Sequence, residues 1–567
     1  MHRAARFGDF EWHASSGELR RRAAVTRLQP QPARVLSLLI ERAGDVVTRD
    51  EIQREVWPND TFVDFEQGLY FCIRYLRRVL GETANAPRHI ETLPKRGYRF
   101  RGLITDAPAT TQATDRLRLA ILRFATLGSV DDYFVDGLTA EMITEASRIA
   151  PRRLAVISAT SVLRPPPGIG SLSDALGVDY VLDGTIRRAG DRVRVTAHLI
   201  DTHESAHLWS DAFEDDLSAV LDIQKQVANR IAAALRLELL PVATDLAVSP
   251  IAHDAYLRGR FEFTRFTEGA LRRSLVWYER ALGIAPDYAL AHAGLADAYI
   301  QLGQSRAGFM APRVAMPRAR AAAARALELD ATLSDAHAAL AACLMWYDWN
   351  WTKAEDAFRT AIDLNPSNSR ARLWYALLLS YLQRGAEAIA EIERARALDP
   401  FSPLVNTYVG VVEYLHGDVE RAVGALDRTL AGDPTYYWAH YFRGVVLRHA
   451  GRYEDAIAAF EEAIRLAPDA ASPMAHLAHT LCLSGQASRA RLVLDDLARM
   501  ASTKWVCPAL FALIHIGLGE LDVAIECIRR ALEDRSGSMA LLSVEPSYRP
   551  LHAHPAFAPI AVAVGLP

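Results

Sequence analysis

The sequence predicts a multidomain chain of three parts: an α+β head, a small central α/β domain and an all-α solenoid. Three observations carry this. Short alternating segments, three helical segments and a final hairpin pattern fill residues 5–103. Strand and helix patterns then alternate through residues 116–240. From there alanine, proline and glycine recur in phase every 34 residues. At 567 residues, half of them apolar and 23% charged, the chain is ordinary globular material. Its length sets a prior of about four domain-sized units at roughly 150 residues each. No run reaches the roughly 18 apolar residues of a membrane span, and residues 1–12 lack the layout of a secretory signal. The five cysteines stand at least 20 residues apart, which excludes CxxC zinc or redox sites and a disulfide framework. The expectation is a cytoplasmic protein without metal or cofactor.

Charge separates the head from the rest. Residues 1–105 hold 18 Lys+Arg against 13 Asp+Glu, or +5; the remainder holds 46 against 55, or −9. A basic head on an acidic body fits anion binding. The only lysines are Lys95, Lys225, Lys353 and Lys504, and none follows a glycine, so a phosphate-cradling P-loop is excluded.

Within the head, residues 6–12, 18–21 and 23–28 read as strands. A helix starts near Gln31 behind Pro30 and ends at Gly44. Thr48-Arg49-Asp50-Glu51 is a capping box that opens a second helix running to Trp57. Asp64 to Gln67 caps a third helix, which ends at Leu80 before Gly81. Residues 90–100 read as a hairpin with Lys95-Arg96-Gly97 at its tip. Strands, three helices and a terminal hairpin make a winged helix-turn-helix. On the third helix Leu69, Cys72, Ile73, Leu76 and Leu80 follow the helical period and point inward. Gln67, Phe71, Arg74, Tyr75 and Arg78 point outward, with Arg77 at the flank. Such a stripe suits the major groove, where arginine pairs with guanine or phosphate and Phe71 meets a thymine methyl.

These residues resemble the OmpR/PhoB-type winged-helix domain over about 5–103. The resemblance rests on Val46-Val47-Thr48-Arg49, Trp57, Ile73 to Arg77 and Gly97-Tyr98. It implies major-groove contacts from Phe71, Arg74, Tyr75 and Arg77. It also implies backbone or minor-groove contacts from Lys95, Arg96 and Arg99 on the wing. The loop 58–63 is where this family engages RNA polymerase, and such domains commonly bind paired half-sites as dimers. Tyr70 and Phe71 are bulkier than the family's usual residues, so no operator is carried over. No receiver domain precedes the head, which argues against control by aspartyl phosphorylation.

After a linker at 104–115, the central domain (116–240) reads as strand 117–124, helix 139–149, strand 154–158 and helix 171–176. Strands 180–187, 192–200 and 207–213 and helix 217–235 follow. Tyr133 to Thr139, Gly177 to Gly184 and Leu208-Trp209 resemble the TolB amino-terminal-like domain. His203-Glu204-Ser205-Ala206-His207 fits the zinc-protease pattern HExxH, whose two histidines must share one helical turn. Here Val193, Val195, Ala197 and Leu199 alternate with polar residues, so the motif falls on a strand turn and no zinc site is expected.

In the last part Ala354, Ala388, Ala422, Ala456, Ala490 and Ala524 keep a 34-residue step, as do Pro366 to Pro468 and Gly417 to Gly519. Small residues twelve positions earlier and large apolar ones four positions later suit two closely packed helices. This resembles the tetratricopeptide repeat, about eight copies over 251–536. The C-terminal stretch 537–567 is expected to cap the last apolar face. Tyr381, Tyr414, Trp438, Tyr441, Arg448 and His449 are placed to face a groove for a protein or peptide partner; each could equally pack between repeats. Trp346, Tyr347, Trp349 and Trp351 read as a plug in a repeat turn.

Together these features predict a non-enzymatic, sequence-specific, one-component transcriptional regulator. The alternative is a protein-interaction scaffold whose head binds DNA without specificity.

Overall fold

The computed structural model describes residues 5–565, except 8–9, 14–17, 22–23, 57–64, 81, 83–88, 94–95, 102–104, 107–115, 129, 164, 166–171, 190–191, 204–205, 217–219, 236, 238–248 and 305–308. Two compact units divide the chain, residues 1–113 and 114–567.

In chain order the first unit holds β1 (Ala5–Phe7), β2 (Phe10–His13), β3 (Glu18–Arg21), β4 (Ala24–Arg27) and α1 (Pro30–Glu41). Next come β5 (Val46–Thr48), α2 (Arg49–Val56), α3 (Phe65–Leu80), β6 (Ile90–Leu93), β7 (Gly97–Phe100) and β8 (Thr105–Asp106). One sheet runs β4-β3-β2-β1-β8, the other β5-β7-β6. The expected strand 6–12 is two antiparallel strands with Phe7 opposite Phe10. In one extended strand Phe7 would face away from Phe10 and Trp12; the reversal brings all three into the core. The expected linker also loses its first part, because β8 returns to pair with β1. Thr48 and Glu51 form the capping box: Glu51 Oε2 accepts from the Thr48 amide at 2.8 Å, and Thr48 Oγ1 accepts from the Glu51 amide at 3.3 Å.

The second unit opens with β9 (Leu117–Ile121), β10 (Ala125–Thr126), α4 (Asp132–Ile149), β11 (Leu154–Val156), α5 (Ala159–Leu163) and α6 (Leu172–Leu176). It continues with β12 (Tyr180–Ala189), β13 (Arg192–Asp201), β14 (Ala206–Asp216) and α7 (Val220–Ala234). The sheet order is β11-β9-β12-β13-β14, with β10 beside β12. Helix α4 starts seven residues before the expected Thr139 and passes through Gly137. Gly137 is there for packing: a Cβ would stand 2.9 Å from Leu257 Cδ2. Helix α5 was not expected.

From Pro250–Phe263 to Leu521–Glu533, sixteen helices among the described residues form eight consecutive hairpins. The 34-residue alanines are fully buried. Opposite them the small residues admit large neighbours: a Cβ on Gly444 would meet Phe460 at 2.6 Å, and one on Gly410 would meet Leu426 at 2.8 Å. The turns inside the last six hairpins use a left-handed residue in the same register. Gly417, Gly451, Gly485 and Gly519 have φ between +74° and +89°, and Gln383 and Trp349 adopt φ of 58° and 54° in the two preceding turns.

The α/β part docks on the solenoid through loops between repeats. Arg116 donates to Ser367 Oγ at 2.8 Å, the Ser158 amide to the Leu398 carbonyl at 2.9 Å, and Ser161 Oγ to Asp399 at 2.6 Å. Deeper in the seam, Tyr256 donates to Glu141 at 3.1 Å and Arg260 lies 3.8 Å from it. Asp297 pairs with Arg370, which also lies near Asp335. Burial pushes the Glu141 carboxyl up to about 7, against the pull of Arg260, and Asp297 and Asp399 up to about 6.

An acid whose pKa rises on folding contributes stability that is complete below its unfolded value and lost as pH climbs through the folded one. Glu141 should therefore cost the second unit stability as pH rises from about 5 to about 7, a loss offset in part by the buried His253 and His479, whose lowered values act in the opposite sense. Glu141→Gln should flatten that decline in denaturant titrations across the range.

Candidate nucleic-acid interface and solenoid groove

Helix α3 is amphipathic in the expected sense. Leu69, Cys72, Ile73, Leu76 and Leu80 are buried, whereas Tyr70 is 65% and Phe71 44% exposed. Arg74 and Arg78 are exposed and Tyr75 is half-buried. The outward side chains order one another. Arg74 lies over the Tyr70 ring at 5.9 Å, Phe71 stacks on Tyr75 at 6.2 Å, and Arg78 lies over Tyr75 at 5.3 Å. Neither Arg74 nor Arg78 has a carboxylate partner among the described residues. Two guanidiniums on an aromatic ladder, held at one helical turn, suit base edges and phosphates of a groove.

Arg77 and Arg99 are engaged within the unit. Arg77 Nη2 donates to the Ile90 carbonyl at 2.9 Å and to Thr92 Oγ1 at 2.8 Å. Arg99 holds Glu91 through Nε and Nη2 at 2.9 and 2.7 Å. Glu82 is a residue the sequence reading missed. Its buried carboxylate accepts from the His89 and Ile90 amides at 2.6 and 2.9 Å. Arg77 and Glu82 thus clamp both polar groups of Ile90 and fix the wing to the end of α3. Gly97 completes the wing at φ +144°, where a Cβ would lie 2.1 Å from the Val47 carbonyl oxygen. Arg96 is exposed on the turn. Lys95, the side chain of Gln67 and the loop 58–63 lie outside the described residues.

The groove is not open. Tyr381, Tyr414, Tyr441 and Arg448 are buried, Trp438 is half-buried among Tyr437, Tyr441 and Phe442, and only His449 is exposed. Tyr441 packs within the repeats against Phe442, Phe460 and His476. Tyr414 and Arg448 are instead covered by the C-terminal stretch, which packs on the last helices but also reaches back across the solenoid instead of only capping it. Glu545 Oε1 accepts from Tyr414 at 3.0 Å and from Arg448 at 3.3 Å, and Ser547 Oγ accepts from Arg448 at 2.6 Å. The tryptophan cluster receives the same stretch. Trp351 Nε1 donates to the Val564 carbonyl at 3.1 Å, Arg535 lies over Tyr347 and Trp349, and Gly537 sits against Trp346. A small pocket remains beside this crossing, lined by Gln304, Trp346, Tyr381, Tyr408 and Ser538.

His203 follows β13 in a turn, 3.2 Å from Asp179, and His207 lies exposed on β14. They do not share a helical turn, and Glu204 lies outside the described residues.

Residues 23–100 match the family model described as transcriptional regulatory protein, C terminal. Residues 115–230 match HilA/YgeH-like transcriptional regulator, second domain; this model, not a TolB-type one, covers the central region. Tetratricopeptide repeat models match 340–403, 410–471 and 447–503. Transcriptional regulator HilA of Salmonella typhimurium is 26% identical over 415 residues, 72% of this chain and 73% of that protein. Putative adenylate cyclase 3 of Rhizobium meliloti is 30% identical over 263 residues, 44% of this chain and 43% of that one. The cholera toxin transcriptional activator of Vibrio cholerae is 32% identical over 76 residues, 13% of this chain and 26% of that one. The chain thus joins an OmpR/PhoB-type regulatory domain, a HilA-like regulator domain and tetratricopeptide repeats. Among the described residues no helix is long and apolar enough to cross a membrane.

The clamp separates two kinds of arginine. Arg77→Ala should lower the first unit's calorimetric transition in the full chain by about 1–3 kcal/mol, because a buried carbonyl loses its donor. Arg74→Ala should stay within about 0.5 kcal/mol, as an exposed site does.

Proposed function

We propose that this chain is a one-component transcriptional regulator that reads double-stranded DNA with the outward face of α3. The observation that carries the reading is the ladder of Tyr70, Phe71, Arg74, Tyr75 and Arg78, whose two arginines have no carboxylate partner among the described residues. Arg74 and Arg78 are the base- and phosphate-contacting groups, and Phe71 and Tyr75 hold their planes and meet apolar base edges. Arg96 and Lys95 approach the backbone from the wing. Arg77 supports the interface by holding the wing and does not read bases, and Arg99 is partly neutralised by Glu91.

The proposed division of labour is a DNA-binding domain at 1–103, a linker to 115, a central domain at 116–240 and repeats at 251–536. The region 537–567 is assigned as the groove's own occupant. On this reading the protein is not an enzyme, works in the cytoplasm and binds paired half-sites as a dimer. It meets RNA polymerase through the loop 58–63. The match of the central region to a regulator's second domain and the overlap with HilA support regulation over catalysis; a TolB-like role for the central domain has no such support.

The test is a salt titration of binding to the DNA upstream of the protein's own coding sequence and to a scrambled duplex. The Arg74→Ala/Arg78→Ala variant is run alongside. Specific binding is expected to exceed non-specific binding by about a thousandfold. The variant should lose that preference, and its salt slope should fall by about 0.9 for each arginine that meets a phosphate. Equal binding to both duplexes, unchanged in the variant and across a wider operator search, would leave an interaction scaffold with a basic head.

A further inference from the structure

The C-terminal stretch carries the single carboxylate that answers Arg448 among the described residues. Arg448 is 4% exposed and Glu545 7%. Around them Tyr414 donates to Glu545, and Ser547 Oγ both accepts from Arg448 and donates to Glu545 at 2.8 Å. Arg448 Nη1 also donates to His476 Nδ1 at 2.9 Å. That bond places the ring proton on Nε2, which faces the Tyr441 hydroxyl at 3.1 Å. The wall of the groove therefore offers a guanidinium and a phenol converging on one point, backed by a histidine. This is the donor set of a carboxylate receptor.

Stability alone does not call for it. A buried ion pair gains little over apolar packing of the same volume, but removing one partner leaves an uncompensated charge. Once residues 544–548 lift away, Arg448 needs another carboxylate. Their displacement would break side-chain contacts only: no main-chain to main-chain hydrogen bond joins residues 537–565 to the repeats before residue 531, among the described residues. The stretch is held by side chains and by the fit of Tyr548 and Leu551.

We propose that Arg448, Tyr414, Tyr441 and His476 form a peptide site for a glutamate-bearing segment of a partner protein. Residues 544–548, Val544-Glu545-Pro546-Ser547-Tyr548, are its built-in competitor. The partner is acidic and presents its glutamate at the start of a tight turn, because what it displaces is Glu545 leading into the 3-10 turn Pro546–Tyr548. This reading does not depend on the DNA-binding one and survives its failure.

The experiment uses the full chain and two fluorescent peptides spanning residues 542–552, one natural and one carrying glutamine in place of glutamate. Three proteins are compared: the natural chain, Glu545→Ala/Ser547→Ala, and that variant with Arg448→Met added. Glu545→Gln serves as an isosteric check, since it removes the charge while keeping the shape. The natural peptide should bind Glu545→Ala/Ser547→Ala at least tenfold tighter than the natural chain, with Glu545→Gln between them. The glutamine peptide should bind that variant at least tenfold more weakly than the natural peptide. Adding Arg448→Met should erase the difference between peptides. Equal binding of both peptides to folded Glu545→Ala/Ser547→Ala, binding to the natural chain as tight as to the variant, or no binding to Glu545→Ala/Ser547→Ala and Glu545→Gln would each overturn the proposal.

Discussion

Close approach of paired helices at small residues is the constraint on which the larger unit depends. Glycine at 410 and 444 lets Leu426 and Phe460 occupy the space a side chain would fill. A left-handed turn residue recurs at the same 34-residue step in the last six hairpins. A solenoid built on one repeated contact curves by one repeated angle. That curvature brings Arg535 and Gly537 back to the aromatic cluster around Trp346, although nearly 200 residues of chain lie between. The covering of the groove by the C-terminal stretch follows from that return.

What was legible in the sequence was whatever repeats or is local. The 34-residue register, the capping box at Thr48 and Glu51, and the two faces of α3 are set by residues a few positions apart, so spacing alone reveals them. The misreadings come from partners far along the chain. Helix α4 runs through Gly137, ahead of the expected Thr139, and only Leu257, 120 residues on, shows why no side chain fits there. The split of 6–12 into two strands depends on Phe7, Phe10 and Trp12 sharing one core, which alternation along a single strand does not reveal. The bonds of Arg77 to Ile90 and Thr92 likewise carry no local signal, since those partners lie 13 and 15 residues on. Glu545 carries no local signal at all, since its role is defined by Arg448 and Tyr414 from two other repeats.

The two units handle charge in opposite ways. On α3, Arg74 and Arg78 are kept at the surface and stacked on rings, an arrangement that leaves their hydrogen-bond donors available. In the solenoid and its seam, arginines meet carboxylates away from the surface: Glu545 and Arg448 are both buried, while Glu141 with Arg260 and Asp297 with Arg370 are partly so. Buried pairs of this kind fix geometry more than they add stability. The repeats therefore serve first as a frame for the chain's own central part and C-terminal stretch, and an outside partner must compete with what is already in place.

Guanine-N7 methylation interference on a bound DNA fragment tests the central claim most directly, because it asks whether base edges in the major groove are touched. If the α3 face reads sequence, methylation at a few discrete guanines should abolish binding by the natural chain. Arg74→Ala should then become indifferent to at least one of them. Binding that tolerates methylation at every guanine would contradict the account, since it would mean that the arginine ladder meets only the phosphate backbone.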